Sequence, residues 1–304
     1  MNPVNYYCYS WGNSTSGGGV FDTNLIKALR VEGAVHTHAI AVFRKWSLPV
    51  WKKRIGPLTP LRAGRVNIVS HECLHDLLDV IPVYCYIVHN YFTEFDFQNL
   101  NFVNPLYRLG SEKIYCKIFS VSKRVVFLSA REKRLATERY PEFADKFLCR
   151  PPGHNESSAY FDGNRDANIV EMPGTLDWLP KKLSYRLNVG SGLPGDGTLV
   201  RGNSVNAFIS VIYDSFLSGF KLKLVEMAKH GKSIISFCDL REELVHIGFE
   251  DLPFILVGNR SELAEAITHF RQKGDLSLES RRACYLKGGA ITWSSIAQAA
   301  LGNH

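Results

Sequence analysis

The sequence predicts an α/β protein of two doubly wound domains, and three observations carry that expectation. Apolar or β-prone runs alternate with amphipathic stretches along most of the chain, the order that builds a parallel sheet covered by helices. The runs Val83–Val88 (VYCYIV), Val125–Ser129 (VVFLS) and Ala207–Tyr213 (AFISVIY) are apolar without alternation, as parallel strands buried on both faces read. Finally, 304 residues exceed one typical small core, so two domains are expected.

In order, Val4–Trp11 is a β-prone run stopped by Gly12, followed by the loop Ser14–Gly19 and a helix over Val20–Glu32 with apolar residues at Val20, Leu25, Ala28 and Leu29. Strand, glycine loop and helix form the first unit of such a sheet, and Gly17, Gly18 and Gly19 would let the backbone close on an anion or a sugar. The pattern is neither GxGxxG nor a P-loop, and a plain flexible turn reads equally well. Val35–Phe43 is a second strand and Val66–Ser70 a third, with a helix opening at His71-Glu72 and running through Leu78. The strand Val83–Val88 delivers His89-Asn90 at its C-terminal end, where open α/β sheets bind ligands. The aromatic segment Tyr91–Phe97 carries Glu94 and Asp96, acceptor-loop candidates or packing residues. A helix over Ala130–Tyr140 ends before Pro141, and Pro151-Pro152-Gly153 punctuates the chain. The boundary is placed near residue 160.

The second half offers strands at Asn168–Met172, Ala207–Tyr213, Ser233–Phe237 and Phe254–Val257, with Pro194–Gly202 (PGDGTLVRG) as a turn-rich patch. Helices are expected over Asp239–His246, over Glu262–Gln272 with Ser261 as N-cap, and over Glu279–Leu301 with a break at Gly288-Gly289. The stretch Ser218–Ile235 (SGFKLKLVEMAKHGKSII) organises this half. Read as a helix, it places Gly219, Lys223 and Glu226 on one face. A helix start with a glycine receives an anion, a lysine one turn in adds charge for a phosphate, and a glutamate beyond it accepts from two ribose hydroxyls. An ordinary amphipathic helix with a solvated Lys and Glu is the plain alternative.

Composition narrows the class. With 45% hydrophobic and 21% charged residues the chain reads as globular, with no apolar run long enough for a membrane span and no signal-peptide pattern. Seven scattered cysteines without a CxxC pair suggest neither a zinc site nor a disulfide framework, and a cytoplasmic location follows. The net charge of +7 is uneven: no Asp or Glu occurs from Gly33 to His71, which holds Arg44, Lys45, Lys52, Lys53, Arg54, Arg62 and Arg65. Trp46 and Trp51 interleave with them, a composition suited to an anionic membrane surface; a solvated basic loop is the alternative. A nucleic-acid partner is not expected, since basic runs of this kind are unspecific.

The order of segments resembles the GT-B glycosyltransferases of the family-4-like, group 1, nucleotide-sugar-dependent type, over most of the chain. The strongest part is Ser210–Phe237, similar to that family's "PlrfGsGfKlKllEamAaGkPVV" passage. Further matches are the Ser-Gly-Gly-Gly near the N-terminus, His89-Asn90, Phe127–Lys133 (FLSAREK), Arg150–Gly153 (RPPG), Gly174–Pro180 (GTLDWLP), Asn259–Leu263 and Trp293.

The resemblance implies two Rossmann-like domains facing across a cleft: residues 1–160 binding the acceptor, 161–285 binding the nucleotide sugar, and 286–304 a helix returning to the first domain. It implies Lys223 on the diphosphate, Glu226 on the ribose, Gly17–Gly19 approaching the phosphates and His89 near the transferred sugar. The implied activity is transfer of a sugar from a nucleotide diphosphate sugar, UDP or GDP, to a glycan or lipid-linked acceptor in cell-surface polysaccharide synthesis. No DxD or HxH pair reads as a metal clamp, so neither metal nor cofactor is expected beyond this co-substrate. Glu94, Asp96 and Asp22 are candidate bases if the reaction inverts; Trp46, Trp51, Lys52, Lys53 and Arg54 are the acceptor or membrane candidates.

The chain departs from the family pattern at Ser218, which stands where many members carry the first glutamate of a Glu-x7-Glu pair. It departs again in having only about 40 residues between Trp178 and Gly219, so the C-terminal domain is expected to be abbreviated. Lys181, Lys182 and Arg201 are the substitutes for a basic residue of the missing region. The rival readings are a nucleotide-sugar epimerase or hydrolase of the same fold, and a GT-B protein that binds a nucleotide or glycan without turnover.

Overall fold

Two all-parallel sheets, each covered by helices, account for most of the computed structural model. It describes residues 3–8, 17–44, 52–55, 66–91, 105–154, 159–174, 176, 179–190, 198–216 and 219–302. The chain divides into two compact units. One comprises Met1–Gly153, Ser218–Phe220 and Thr292–His304; the other comprises His154–Leu217 and Lys221–Ile291.

In the first unit the strands are β1 (Val4–Cys8), β2 (Val35–Ala39), β5 (Val66–Ser70), β6 (Cys85–Val88), β7 (Arg124–Phe127) and β8 (Phe147–Cys149), in the order β2-β1-β5-β6-β7-β8. Tyr6 pairs with Ile68 and Ile68 with Cys85. The order changes direction between β1 and β5, and such switch points are where doubly wound sheets bind ligands. Helices α1 (Gly17–Glu32), α2 (Pro105–Val121) and α3 (Ala130–Arg139) follow β1, β6 and β7. One face of the sheet packs Tyr7, Val69, Tyr86 and Phe127 against Leu77, Tyr115 and Phe119. The last helix, α9 (Trp293–Leu301), packs on α1 and on β6 and β7 with Ile296, Ala297 and Ala300 fully buried.

Several boundaries differ from expectation, each for a physical reason. Gly17–Gly19 form the first turn of α1 instead of a loop, so their N–H groups belong to a helix N-terminus. The strand expected over Val35–Phe43 is two: Ile40 N–H still donates to Cys8 O, and then β3 (Ala41–Arg44) leaves the sheet to pair antiparallel with β4 (Lys52–Ile55). Lys52, Lys53 and Arg54 thus lie on a strand. The helix expected from His71 is a 3₁₀ helix over Glu72–Asp79.

In the second unit β9 (Asp166–Met172), β10 (Thr198–Arg201), β11 (Ala207–Ile212), β12 (Ser233–Ser236) and β13 (Phe254–Leu256) run in the order β10-β9-β11-β12-β13. Helices α4 (Leu179–Asn188), α5 (Leu222–Lys229), α6 (Arg241–His246), α7 (Arg260–Lys273) and α8 (Leu278–Gly289) complete it. Val170, Phe208, Val211 and Ile235 pack against Leu263, Ile267 and Phe270 of α7. The turn-rich patch ends in an edge strand, β10.

The brevity read between Trp178 and Gly219 shows at the next connection: β10 reaches its parallel neighbour-but-one, β11, through residues 202–206 alone. Parallel strands generally need a dozen residues or more, usually a helix. Here a buried ion pair fastens the short connection down. Lys232 Nζ lies 2.5 Å from Glu171 Oε2 and donates to Ser204 O at 2.9 Å. Ser204 N–H donates back to Glu171 Oε2 at 2.7 Å, and the Ser210 hydroxyl bonds the other carboxylate oxygen.

The α7 start is capped by Asn259 in place of Ser261. Asn259 Oδ1 accepts from Ser261 N at 2.9 Å and Glu262 N at 3.0 Å, while Glu262 Oε2 accepts from Gly258 N at 2.7 Å, a reciprocal capping arrangement. The C-terminal helical stretch breaks after Gly289, at the glycine pair expected to interrupt it, into α8 and α9. All seven cysteines are free thiols. Among the described residues no helix is long and apolar enough to cross a membrane.

Candidate functional site

The C-terminal end of the second sheet gathers charge at the start of α5. Tyr213-Asp214 directly follow strand β11, and Asp214 is fully buried. Lys221, the N-cap residue of α5, places Nζ 3.2 Å from Asp214 Oδ2, and Lys223 places Nζ 3.8 Å from the same oxygen. The two ammonium groups also lie over aromatic rings, Lys221 Nζ 4.6 Å from Phe216 and Lys223 Nζ 5.1 Å from Tyr213. Lys223 donates to Pro173 O at 2.9 Å, just beyond β9. A Cβ on Gly174, where φ is +122°, would stand 3.5 Å from Lys223 Nζ.

Burial alone would push the Asp214 pKa up, but Lys221, Lys223 and Lys181 outweigh it and hold the carboxyl below its usual range. Burial brings the Lys223 ammonium down to about 8, against the pull of Asp214. Two lysines around one carboxylate leave a surplus positive charge beside the open N–H groups of a helix start. That arrangement suits a diphosphate.

Glu226 lies one turn further along α5 and lines a cavity of about 240 Å³. Arg165, Glu171, Asn203, Ser204, His230 and Lys232 share its wall. The cavity adjoins the short 202–206 connection. Glu226 Oε2 is 3.9 Å from His230 Nε2, one helical turn away.

Gly219 does not share this face. It precedes α5 and belongs to the first unit, with φ at +61°. Its N–H donates to the buried Glu132 Oε1 at 2.7 Å, and a Cβ there would stand 2.3 Å from His89 O. The glycine is required by a close backbone approach, and its N–H is committed to a carboxylate. Gly219→Ala is expected to lower unfolding free energy by about 2–4 kcal/mol, left-handed strain adding to overpacking; a urea titration within 0.5 kcal/mol of the parent would refute this.

At the switch point of the first unit, a chain of polar groups runs behind β1, β5 and β6. His89, following β6, is buried and places Nε2 2.8 Å from Ser70 Oγ at the end of β5. Ser70 Oγ is 2.7 Å from Asp22 Oδ1 on α1, which also accepts from Tyr6 OH at 2.6 Å. Burial lowers the His89 pKa to about 3, so the ring is neutral. Beside it, His71 has φ +90° and a ring centroid 5.1 Å from that of His89. The neighbouring Glu72 accepts from Asn90 N–H at 2.8 Å, and burial pushes its pKa up to about 8.

The structure thus brings Lys223 to a charged cluster, Glu226 to a cavity and His89 to a buried relay. Asp22, a candidate base, is fully buried inside that relay, where it accepts from two hydroxyls. Gly17, Gly18 and Gly19 stand at the α1 N-terminus. Glu94, Asp96, Trp46, Trp51 and Ser218 lie outside the described residues, and only the backbones of Lys52, Lys53 and Arg54 are described. Sequence reasoning missed Lys221 and Asp214, although Asp214 is the first charged residue after an apolar strand. It also missed Ser70, Glu72 and Glu132.

No family model and no curated protein matches this chain. Solved structures do. Sucrose-phosphate synthase from Thermosynechococcus elongatus aligns over 98% of this chain and 96% of its own, at 14% identity and a TM-score of 0.60. Anabaena Alr3699/HepE, solved in complex with UDP, aligns over 99% of each chain at 12% identity and a TM-score of 0.61. WaaG, a glycosyltransferase involved in lipopolysaccharide biosynthesis, aligns over 99% and 100% at 11% identity and a TM-score of 0.56. The fold is the GT-B fold of two Rossmann-like units that these proteins share.

Proposed function

We propose that this chain is a glycosyltransferase that moves a sugar from a nucleotide diphosphate sugar to an acceptor hydroxyl. The observation that carries the reading is the Lys221–Asp214–Lys223 cluster at the start of α5. A leaving diphosphate develops negative charge, and preorganised cations with a helix N-terminus stabilise it. On this reading no metal is needed. Lys223 meets the diphosphate, Glu226 the ribose, and the adjoining cavity the rest of the nucleoside. The UDP bound by the Anabaena structure supports a uridine donor, with GDP as the second choice.

The first unit carries the residues that meet the transferred sugar and the acceptor. His89, neutral and buried, binds instead of acting as base, and the positive end of α1 at Gly17–Gly19 favours an anion. The acceptor is a glycan or a lipid-linked sugar, and the setting is cell-surface polysaccharide assembly in the cytoplasm. Placement at the inner membrane face follows if the basic segment carrying Trp46 and Trp51 engages anionic lipid.

A thermal-shift screen over UDP-, GDP-, ADP- and CMP-sugars tests the reading, because a ligand of the native state raises its melting temperature. UDP or GDP donors are expected to raise it by several degrees, and Glu226→Ala is expected to abolish most of that rise. No shift with any donor would overturn the proposal.

A further inference from the structure

The relay behind His89 fixes more than the position of its ring. Asp22 is a buried carboxylate whose Oδ1 accepts from Tyr6 OH at 2.6 Å. The tyrosine keeps its proton, since burial first and then the Asp22 charge raise its pKa well above the ordinary value. Ser70 Oγ lies 2.7 Å from that same Oδ1. Ser70 donates to Asp22 as Tyr6 does, so its single hydroxyl proton is committed to the carboxyl oxygen. The serine oxygen can then only accept from His89 Nε2, 2.8 Å away.

We infer that Asp22 and Ser70 are positioning residues that lock His89 in its Nε2–H tautomer, leaving Nδ1 as a hydrogen-bond acceptor that selects a substrate hydroxyl. The ring is held from its sides as well, by Phe21 in a T-shaped pair at 4.5 Å and the His71 ring at 5.1 Å between centroids. A locked acceptor has a consequence for specificity. The group that meets it must donate, so a sugar with a free hydroxyl there is accepted. Its deoxy or O-methyl analogue offers that nitrogen no donor and is rejected. The selectivity part rests on the glycosyltransferase reading; the tautomer lock stands without it.

The test uses full-length protein labelled with ¹⁵N in its histidine side chains, read by long-range ¹H–¹⁵N correlation at pH 7. His89 is expected as a neutral ring protonated on Nε2. A ring protonated on Nδ1, or an imidazolium, overturns the inference. Ser70→Ala is expected to replace the single tautomer with an exchanging pair, and Ser70→Thr, which keeps the hydroxyl, to restore it. An unchanged Nε2–H tautomer in Ser70→Ala overturns the lock. If Ser70→Ala fails to fold, the parent and Ser70→Thr spectra still decide.

With a donor found in the thermal screen, Ser70→Ala is expected to raise the donor KM about tenfold, the loss of roughly one good hydrogen bond, while affinity for free UDP is unchanged. An unchanged donor KM overturns the selectivity role. Absence of any transfer with intact UDP affinity would count against the transferase reading, and the tautomer spectra would decide the lock separately.

Discussion

Lys223→Ala is expected to weaken UDP or GDP binding by about 10–150-fold, the equivalent of one charge-assisted hydrogen bond. The lysine stands at the first turn of α5, held by Pro173 O and by the Asp214 carboxylate. Removing it leaves Asp214 paired with Lys221, so the fold should survive while the phosphate loses a donor. The pH dependence has a defined sign. With the free ammonium titrating at about 8, affinity is full below that pH and falls as pH rises through it, by up to tenfold per unit until the ligand-raised pKa of the complex is reached. Lys223→Arg should remove this alkaline loss. Calorimetry of UDP from pH 6 to pH 10 reads both effects, and equal affinity in parent and Lys223→Ala would refute the phosphate role.

Lys232→Ala is expected to cost about 3–5 kcal/mol of stability, because it strands Glu171 as a buried unpaired charge. Glu171 is 1% exposed and Lys232 is 6% exposed at the side chain, so little solvent reaches the pair. The pair also ties Ser204, hence the 202–206 connection, to the sheet. A stability of about 5–15 kcal/mol is typical of a domain, so this single change removes a large share. Replacing both partners, Glu171→Leu with Lys232→Met, should recover much of the loss, although Ser204 and Ser210 then lose an acceptor. Urea midpoints of the single and double variants decide it; a loss below 1 kcal/mol in Lys232→Ala would show that the pair contributes little.

The sheets were legible where burial on both faces leaves an unbroken apolar run, as at Val83–Val88 and Ala207–Tyr213. Strand β10 was not, because an edge strand of four residues inside PGDGTLVRG carries stronger turn signals than strand signals. Helix α2 answers to no element in the sequence reading. Among site residues, Lys223 and Glu226 could be read from helical spacing, since both lie on α5. Gly219 looked like part of the same helix. Nothing local says that its φ is positive or that His89 O stands against it. The relay joins residues 6, 22, 70 and 89 across sequence separations up to 48, and a single sequence cannot show that three strands and a helix bring them together. The charged cluster is local in part: Lys221 and Lys223 alternate on one stretch, but Asp214 completes it only because β11 ends there.

Helix α9 carries a consequence for the order in which the protein is made. Its residues 293–301 cover α1, β6 and β7 in the first unit, yet they are synthesised after the whole second unit. A nascent chain emerging from its N-terminus folds domain by domain, but here the first-made unit keeps an uncovered apolar face until Ile296, Ala297 and Ala300 arrive. Completion of the first unit therefore waits until residues 293–301 have been made, and the interval before it is when the chain most needs protection from aggregation.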